Sequence, residues 1–137
     1  HGACVVGSGL LRTYLINFCR SFIYTTALPE TSIAAIKAFY HLFPGMNAER
    51  NHLKELIYAF RNAGIRYNCP LSDTPIQIVM IPGNEEVKRT EQQLIAAGIN
   101  AKAILYPTVP AGSERLRIVL HAYNTAEELA LLTGLLK

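Results

Sequence analysis

The chain has 137 residues, enough for one domain with a single core and too few for a second full domain of ordinary size. Half of the residues are apolar and 17% are charged, which excludes a disordered chain. The net charge is only +3 and the basic residues are scattered, so no nucleic-acid partner is expected. No apolar stretch approaches the roughly 20 residues that cross a bilayer and no leader is recognisable, so we expect a cytoplasmic protein with no membrane partner.

The first part of the chain predicts one strand and two helices. The opening GACVVGS (2–8) is a run of small and β-branched residues and predicts a buried strand, as if cut from a larger sheet. Apolar residues three and four apart within 10–22 predict an amphipathic helix. Pro29 suits the first turn of a further helix that should run to about residue 43, just before Pro44.

A third helical pattern begins at Asn47 and runs to Ala63, where Gly64 provides the usual left-handed stop. We expect this helix and the one before it to link two regions of a larger protein. Residues 1–45 are therefore predicted to be a remnant of one domain together with the start of a linker, and residues 46–137 to form a smaller α/β domain.

The remaining sequence predicts a compact unit in the order β-α-β-β-α. Its strands are expected at 76–81, 99–105 and 115–121, with helices at 84–97 and from Thr125 onward. Asn84 is a candidate N-cap, and Thr125 with Glu128 forms a candidate capping box. The first two strands should be parallel around a crossover helix, with both helices on one face of the sheet and the other face open to a partner.

No motif for a metal or a disulfide is present. The cysteines, Cys4, Cys19 and Cys69, are odd in number and lack CxxC spacing, so we expect buried free thiols. The four histidines show no HExxH or other ligand spacing, and no metal site is predicted.

The segment YPTVPAGSERLRIVLHAYNT (106–125) combines a rigid loop with a strand and is the best candidate for a site. Strand alternation places Arg115 and Arg117 on the same face, together with His121. Arginine suits a carboxylate because its planar guanidinium offers two parallel donors and stays charged. The alternative is a solvated strand face on which arginine stems cover apolar surface, and spacing cannot choose between the two arginines.

Three segments, FIYTTALP (22–29), IVMIPGNEEV (78–87) and PTVPAGSERLRIVLHAYNT (107–125), together resemble the α-oxoamine synthases, in particular those of biotin biosynthesis. The resemblance runs over essentially the whole chain. It implies a homodimeric fold type I enzyme that uses pyridoxal phosphate, with this chain as its carboxyl-terminal portion and residues 1–45 as a remnant of its large cofactor-binding domain with the start of the linker. It also implies L-alanine and a pimeloyl thioester as substrates, joined with loss of carbon dioxide.

The same resemblance implies roles for four residues. Arg117 matches the arginine that binds the amino-acid carboxylate, and Thr108 matches a residue that lines the substrate pocket. Thr25 and Thr26 match hydroxyl positions that reach the cofactor phosphate of the neighbouring subunit. Ordinary β-propensity in an extended segment is the alternative explanation for the two threonines.

The resemblance places the cofactor lysine before the position of His1, so we expect this portion alone to be inactive and to need the preceding polypeptide as a partner. None of the lysines present occupies that motif: Lys37, Lys54, Lys88, Lys102 and Lys137. Two alternatives remain open, a sister synthase that uses glycine or serine, and a free-standing regulatory module of the α/β class that binds a small molecule.

Overall fold

The computed structural model describes residues 3–137, which divide after Met46 into two compact units. The first unit contains helices α1 (Gly9–Phe18) and α2 (Glu30–Leu42), followed by the short 3₁₀ turn Phe43–Gly45. The second contains α3 (Asn47–Arg61), β1 (Ile76–Met80), α4 (Asn84–Ala96), β2 (Lys102–Ile104), β3 (Arg115–Val119) and α5 (Ala126–Leu135). No described helix is both long and apolar enough to cross a membrane.

The first unit is helical and its side chains are largely exposed. The Ser8 hydroxyl accepts a hydrogen bond from the Leu11 N–H at 3.2 Å and caps α1. The helix ends at Phe18, four residues earlier than predicted, because Cys19 adopts an extended conformation. Neither α1 nor α2 contains a buried residue. The assignment of this unit to a larger cofactor-binding domain stays a prediction.

The predicted opening strand is not formed. Residues 3–8 carry no regular structure, and Val5 and Val6 are 77% and 80% exposed; Gly2, which the prediction included, lies outside the described residues. A strand needs a neighbour to receive its backbone hydrogen bonds. The described part of the first unit contains no strand, so this segment has no such neighbour there.

The second unit has the predicted α/β architecture, with β3 at the centre of a three-stranded sheet in the order β1-β3-β2. β3 is antiparallel to both neighbours, so β1 and β2 are parallel to each other but not adjacent. The prediction of parallel strands around α4 is therefore correct in direction, whereas the strand between them was not foreseen. β2 is also shorter than the predicted 99–105.

One face of this sheet packs against all three helices of the unit. Leu116 and Ile118 of β3 and Val79 of β1 are buried there, in one cluster with apolar side chains of α3, α4 and α5. Helix α3 contributes Phe60, only 2% exposed, and so belongs to this core. Burying such side chains stabilises a fold by roughly 1.5–3 kcal/mol each.

Two predictions of helix capping have different outcomes. The Thr125 hydroxyl accepts from the Glu128 N–H at 3.1 Å and the Glu128 carboxylate accepts from the Thr125 N–H at 3.0 Å, which confirms the capping box. Asn84, in contrast, is the first residue of α4 and makes no cap hydrogen bond. Gly83 is the N-cap, with a φ of 95° that favours glycine.

The cysteines are free, as predicted, but none is fully buried. Cys4 is exposed, and Cys19 and Cys69 are half-buried. Burial raises the pKa of the Cys69 thiol.

Candidate functional site

The sheet face opposite the core, called the open face below, carries the arginines singled out by the sequence. The pairing register places the residues that alternate with the buried ones on this face: Ile76, Ile78, Met80, Lys102, Ile104, Arg115, Arg117 and Val119. Ile76 and Val119 are 48% and 42% exposed. The open face therefore combines an apolar strip along β1 with basic side chains from β2 and β3.

The structure separates the two arginines that spacing could not distinguish. Arg115 is half-buried, and its Nε donates a hydrogen bond to the Ser113 carbonyl at 2.8 Å, so its guanidinium helps to hold the loop before β3. The side chain of Arg117 is exposed and makes no hydrogen bond or ion pair with any residue that the structure describes. Of the two, Arg117 has donors available for a ligand.

Arg117 lies directly opposite Lys102 of β2. Like charges in this relation are ordinarily unfavourable. The Lys102 ammonium, however, lies 3.7 Å from the Glu91 carboxylate of α4, and the same carboxylate accepts the Ala103 N–H at 2.9 Å. The positive charge of Lys102 is thus balanced by the Glu91 carboxylate, whereas Arg117 has no acidic partner among the described residues.

Beside Arg117 a groove of about 640 Å³ opens along the end of β3, between the segment before β2 and helix α5. Its walls include Lys102, His121, Tyr123 and Leu129. The rings of His121 and Tyr123 stack with their centroids 4.8 Å apart and 7° between their planes. The groove gives Arg117 room to meet a ligand that enters from solvent.

Thr108 lies in the loop that leads into β3, after a cis peptide bond between Tyr106 and Pro107. Its side chain is exposed, and no hydrogen bond joins it to Arg117 or to another residue in the described chain. Its place in a substrate pocket stays a prediction.

The loop is attached to the start of α4 by two side chains, neither of which was expected to take part in the site. Asn84 Oδ1 accepts the Tyr106 N–H at 3.0 Å, and Asn84 Nδ2 donates to the Tyr106 carbonyl at 3.3 Å. Glu114, only 4% exposed, accepts the Gly83 N–H at 2.9 Å. Strand alternation could have indicated that Glu114 is buried, because it places Glu114 on the same face as Leu116.

The Glu114 carboxylate is held in its charged form. The Gly83 N–H has the largest effect in lowering its pKa, and the backbone amides of Glu114 itself and of Gly112 lower it further, against an opposing effect of burial. A carboxylate that receives several backbone amides is stabilised as the anion. It therefore connects the loop to α4 without needing a basic partner.

The two threonines of the predicted phosphate contact lie in the first unit and are exposed. The Thr25 hydroxyl donates to the Ser21 carbonyl at 3.2 Å, so its proton is already engaged in a hydrogen bond. The Thr26 hydroxyl has no hydrogen bond within the described chain. A phosphate accepts hydrogen bonds, so Thr26 fits it directly, whereas Thr25 would first have to give up the bond to Ser21.

The chain belongs to the aminotransferase class I and II family, since a sequence model of that family matches residues 1–134. Curated relatives named 8-amino-7-oxononanoate synthase include those of Methylobacillus flagellatus, 40% identical over 98% of this chain, and Cellvibrio japonicus, 39% identical over 98%. These names confirm the resemblance to the α-oxoamine synthases. The chain spans about a third of these relatives, 35% and 34% of their lengths.

Solved structures show the same fold. One is described as an 8-amino-7-oxononanoate synthase from Francisella tularensis, with a TM-score of 0.76 at 24% identity over 94% of this chain and 38% of that one. Another is a serine palmitoyltransferase from Sphingomonas wittichii, with a TM-score of 0.80 at 22% identity over 96% of this chain and 34% of that one. The fold is therefore that of pyridoxal-phosphate enzymes of fold type I.

Proposed function

We propose that this chain is the carboxyl-terminal part of an α-oxoamine synthase that condenses L-alanine with a pimeloyl thioester. The product would be 8-amino-7-oxononanoate, with release of carbon dioxide and the free thiol. The curated relatives that match the chain carry the name of this activity. The observation that carries the proposal within the chain itself is the exposed Arg117, whose guanidinium has no acidic partner among the described residues.

In this proposal Arg117 binds the carboxylate of L-alanine. Its planar donors can form two parallel hydrogen bonds with the two carboxylate oxygens, which fixes both the position and the orientation of the amino acid. β3 is the central strand of the sheet and is hydrogen-bonded on both sides around Arg117. Such a rigid support holds the guanidinium in place before the substrate arrives.

Pyridoxal phosphate would be held in part by the Thr25 and Thr26 hydroxyls, which contact its phosphate in the neighbouring subunit of a homodimer. When bound, the cofactor would supply an electron sink for negative charge that develops on the amino acid. The lysine that binds the cofactor would come from the polypeptide preceding this chain. The residues of the second unit would bind and orient the substrates.

The test is an activity profile of the complete protein, this chain together with the polypeptide expected before it. The protein is supplied with pyridoxal phosphate, pimeloyl-coenzyme A and either L-alanine, glycine or L-serine, and release of the thiol is followed. Faster release with L-alanine than with the other two supports the proposal. A preference for glycine or L-serine would instead indicate a sister synthase.

A regulatory module makes a different prediction. It would show no thiol release with any amino acid, while the chain by itself would bind an amino acid saturably. That pair of results would overturn the proposed activity.

A further inference from the structure

The loop that carries Thr108 is not held in place by burial. Within 106–113 only Val109 and Ser113 are half-buried, and the other side chains are exposed. The loop contains its own turn, closed by the Ser113 N–H donating to the Pro110 carbonyl at 2.9 Å, with Gly112 at a φ of 82°. That turn shapes the loop but does not attach it to the rest of the domain.

Apart from the hydrogen bond from Arg115 Nε to the Ser113 carbonyl, the attachment comes from the two ends of the loop, and both ends bind adjacent residues at the start of α4. At the first end Asn84 binds the N–H and the carbonyl of Tyr106. At the other end Glu114 binds the Gly83 N–H, and its carbonyl accepts the Ile81 N–H at 3.0 Å. The start of α4 therefore fixes both ends of the loop.

The side chain of Asn84 makes no other hydrogen bond among the described residues. Its side chain does not cap α4, because Gly83 occupies the N-cap position without a side-chain hydrogen bond. Both polar atoms of its amide instead pair with the backbone N–H and carbonyl of one loop residue, Tyr106, in the manner of a neighbouring strand. An amide that offers one acceptor and one donor is suited to this pairing, and no apolar residue can replace it.

We propose that Asn84 is a positioning residue of the substrate site: with Glu114 it sets the place of Thr108 relative to the strand that carries Arg117. This inference rests on the proposed function, because it assumes that Thr108 contacts a substrate. Loss of Asn84 should free one end of an exposed loop, which costs little stability because few apolar contacts are involved, but it should displace Thr108. A hydrogen bond that the displaced Thr108 no longer makes should cost up to about tenfold in affinity.

The experiment is a double-mutant cycle in the complete enzyme with Asn84→Ala and Thr108→Ala. The substrate whose KM rises in Thr108→Ala is the one that Thr108 contacts. Asn84→Ala should raise the KM of that same substrate by about tenfold, with a smaller change in kcat. The double variant should be hardly worse than either single variant, because both changes remove the same contact.

Two further variants separate positioning from stability. Asn84→Asp keeps the acceptor for the Tyr106 N–H and should restore part of the lost affinity. Thr125→Ala removes the hydroxyl that caps α5, far along the chain from the loop, and should leave the KM unchanged. An equal rise in KM in Thr125→Ala would mean that general destabilisation explains the effect, and the proposal would be wrong.

Hydrogen exchange supplies a readout that does not depend on activity. Asn84→Ala should speed the exchange of amides in 106–113 and leave those of α5 unchanged. Unchanged exchange in 106–113, or an unchanged KM in an active enzyme, would overturn the proposal. If the unaltered complete protein condenses no amino acid with the thioester, the proposed function fails on its own, and the exchange comparison still decides whether Asn84 holds the loop.

Discussion

Lys102 and Arg117 lie opposite each other on neighbouring strands, and of these two residues Lys102 alone has an acidic partner within the described chain. The Glu91 carboxylate draws the lysine toward α4 and at the same time accepts the Ala103 N–H at the edge of the sheet. The guanidinium of Arg117 keeps its charge and its donors for a ligand. This relationship underlies the first prediction.

Arg117→Ala in the complete enzyme should weaken binding of L-alanine by about 1.5–3 kcal/mol, the range for hydrogen bonds to charged groups. The measurement is the KM for L-alanine at a saturating thioester concentration. Lys88→Ala is the control, because it removes an exposed positive charge of α4 that is not on the open face. An unchanged KM in Arg117→Ala, or an equal effect in Lys88→Ala, would refute the assignment.

Stability of the second unit should depend on Glu114 at acid pH. The folded state lowers the pKa of this carboxyl, so the folded protein binds fewer protons than the unfolded chain in that range. The contribution of the Glu114 carboxylate to folding stability should be fully present above the ordinary glutamate pKa of about 4.3. It should be lost as the pH falls through the lower pKa that this carboxyl has in the folded protein. Glu127 and Glu128 have lowered pKa values as well and add to the same trend.

The measurement for Glu114 is the melting temperature of the protein as a function of pH. Glu114→Gln should flatten part of the decline below about pH 4.3, because it removes the group that titrates there. Glu85→Gln is the control, since Glu85 is an exposed residue of the same helix end. If both variants melt with the pH profile of the unaltered protein, the carboxylate does not have the role assigned to it.

The capping box should account for a measurable part of the stability of α5. Thr125→Ala should lower the free energy of unfolding by about 1 kcal/mol, because it leaves the Glu128 N–H without its acceptor. Thr125→Ser keeps the hydroxyl and should remain close to the unaltered protein. Urea unfolding of the three proteins, followed by circular dichroism, tests this. Equal loss in the serine variant would point to the methyl group instead.

The two threonines should contribute unequally to retention of pyridoxal phosphate. Thr26→Val in the complete enzyme should loosen the cofactor more than Thr25→Val, because the Thr25 proton already serves the Ser21 carbonyl. The fraction of cofactor that remains after dialysis, measured by its absorbance, distinguishes the variants. Full retention in the double variant would contradict the phosphate contact altogether.

Periodicity was sufficient to locate most elements, because apolar spacing reports which side of a helix or strand is buried. It failed for residues 2–8, where Val5 and Val6 look like a buried strand but have no strand beside them in the described unit. It also could not place β3 between β1 and β2, since the order of strands in a sheet depends on long-range pairing. In the candidate site, too, the residues recognised by a local pattern were predicted and those that depend on long-range contacts were not.

Arg117 was selected as a candidate through its motif and its alternation, which are local signals. The roles of Asn84 and Glu114 depend on partners 22 and 31 residues away. Asn84 was expected to cap α4 because asparagine often does so. A left-handed Gly83 took that position and left the asparagine amide free to bind the loop.

The central position of β3 also affects when this domain can fold during synthesis. β1 and β2 leave the ribosome first, yet the strand that each of them pairs with along its length is β3. Until translation passes Val119 both early strands are without their neighbour, and the nascent chain can hold helices but no sheet. A ribosome that stops short of this point would release a chain with two unpaired strands, and such chains are prone to aggregate and are targets for chaperones.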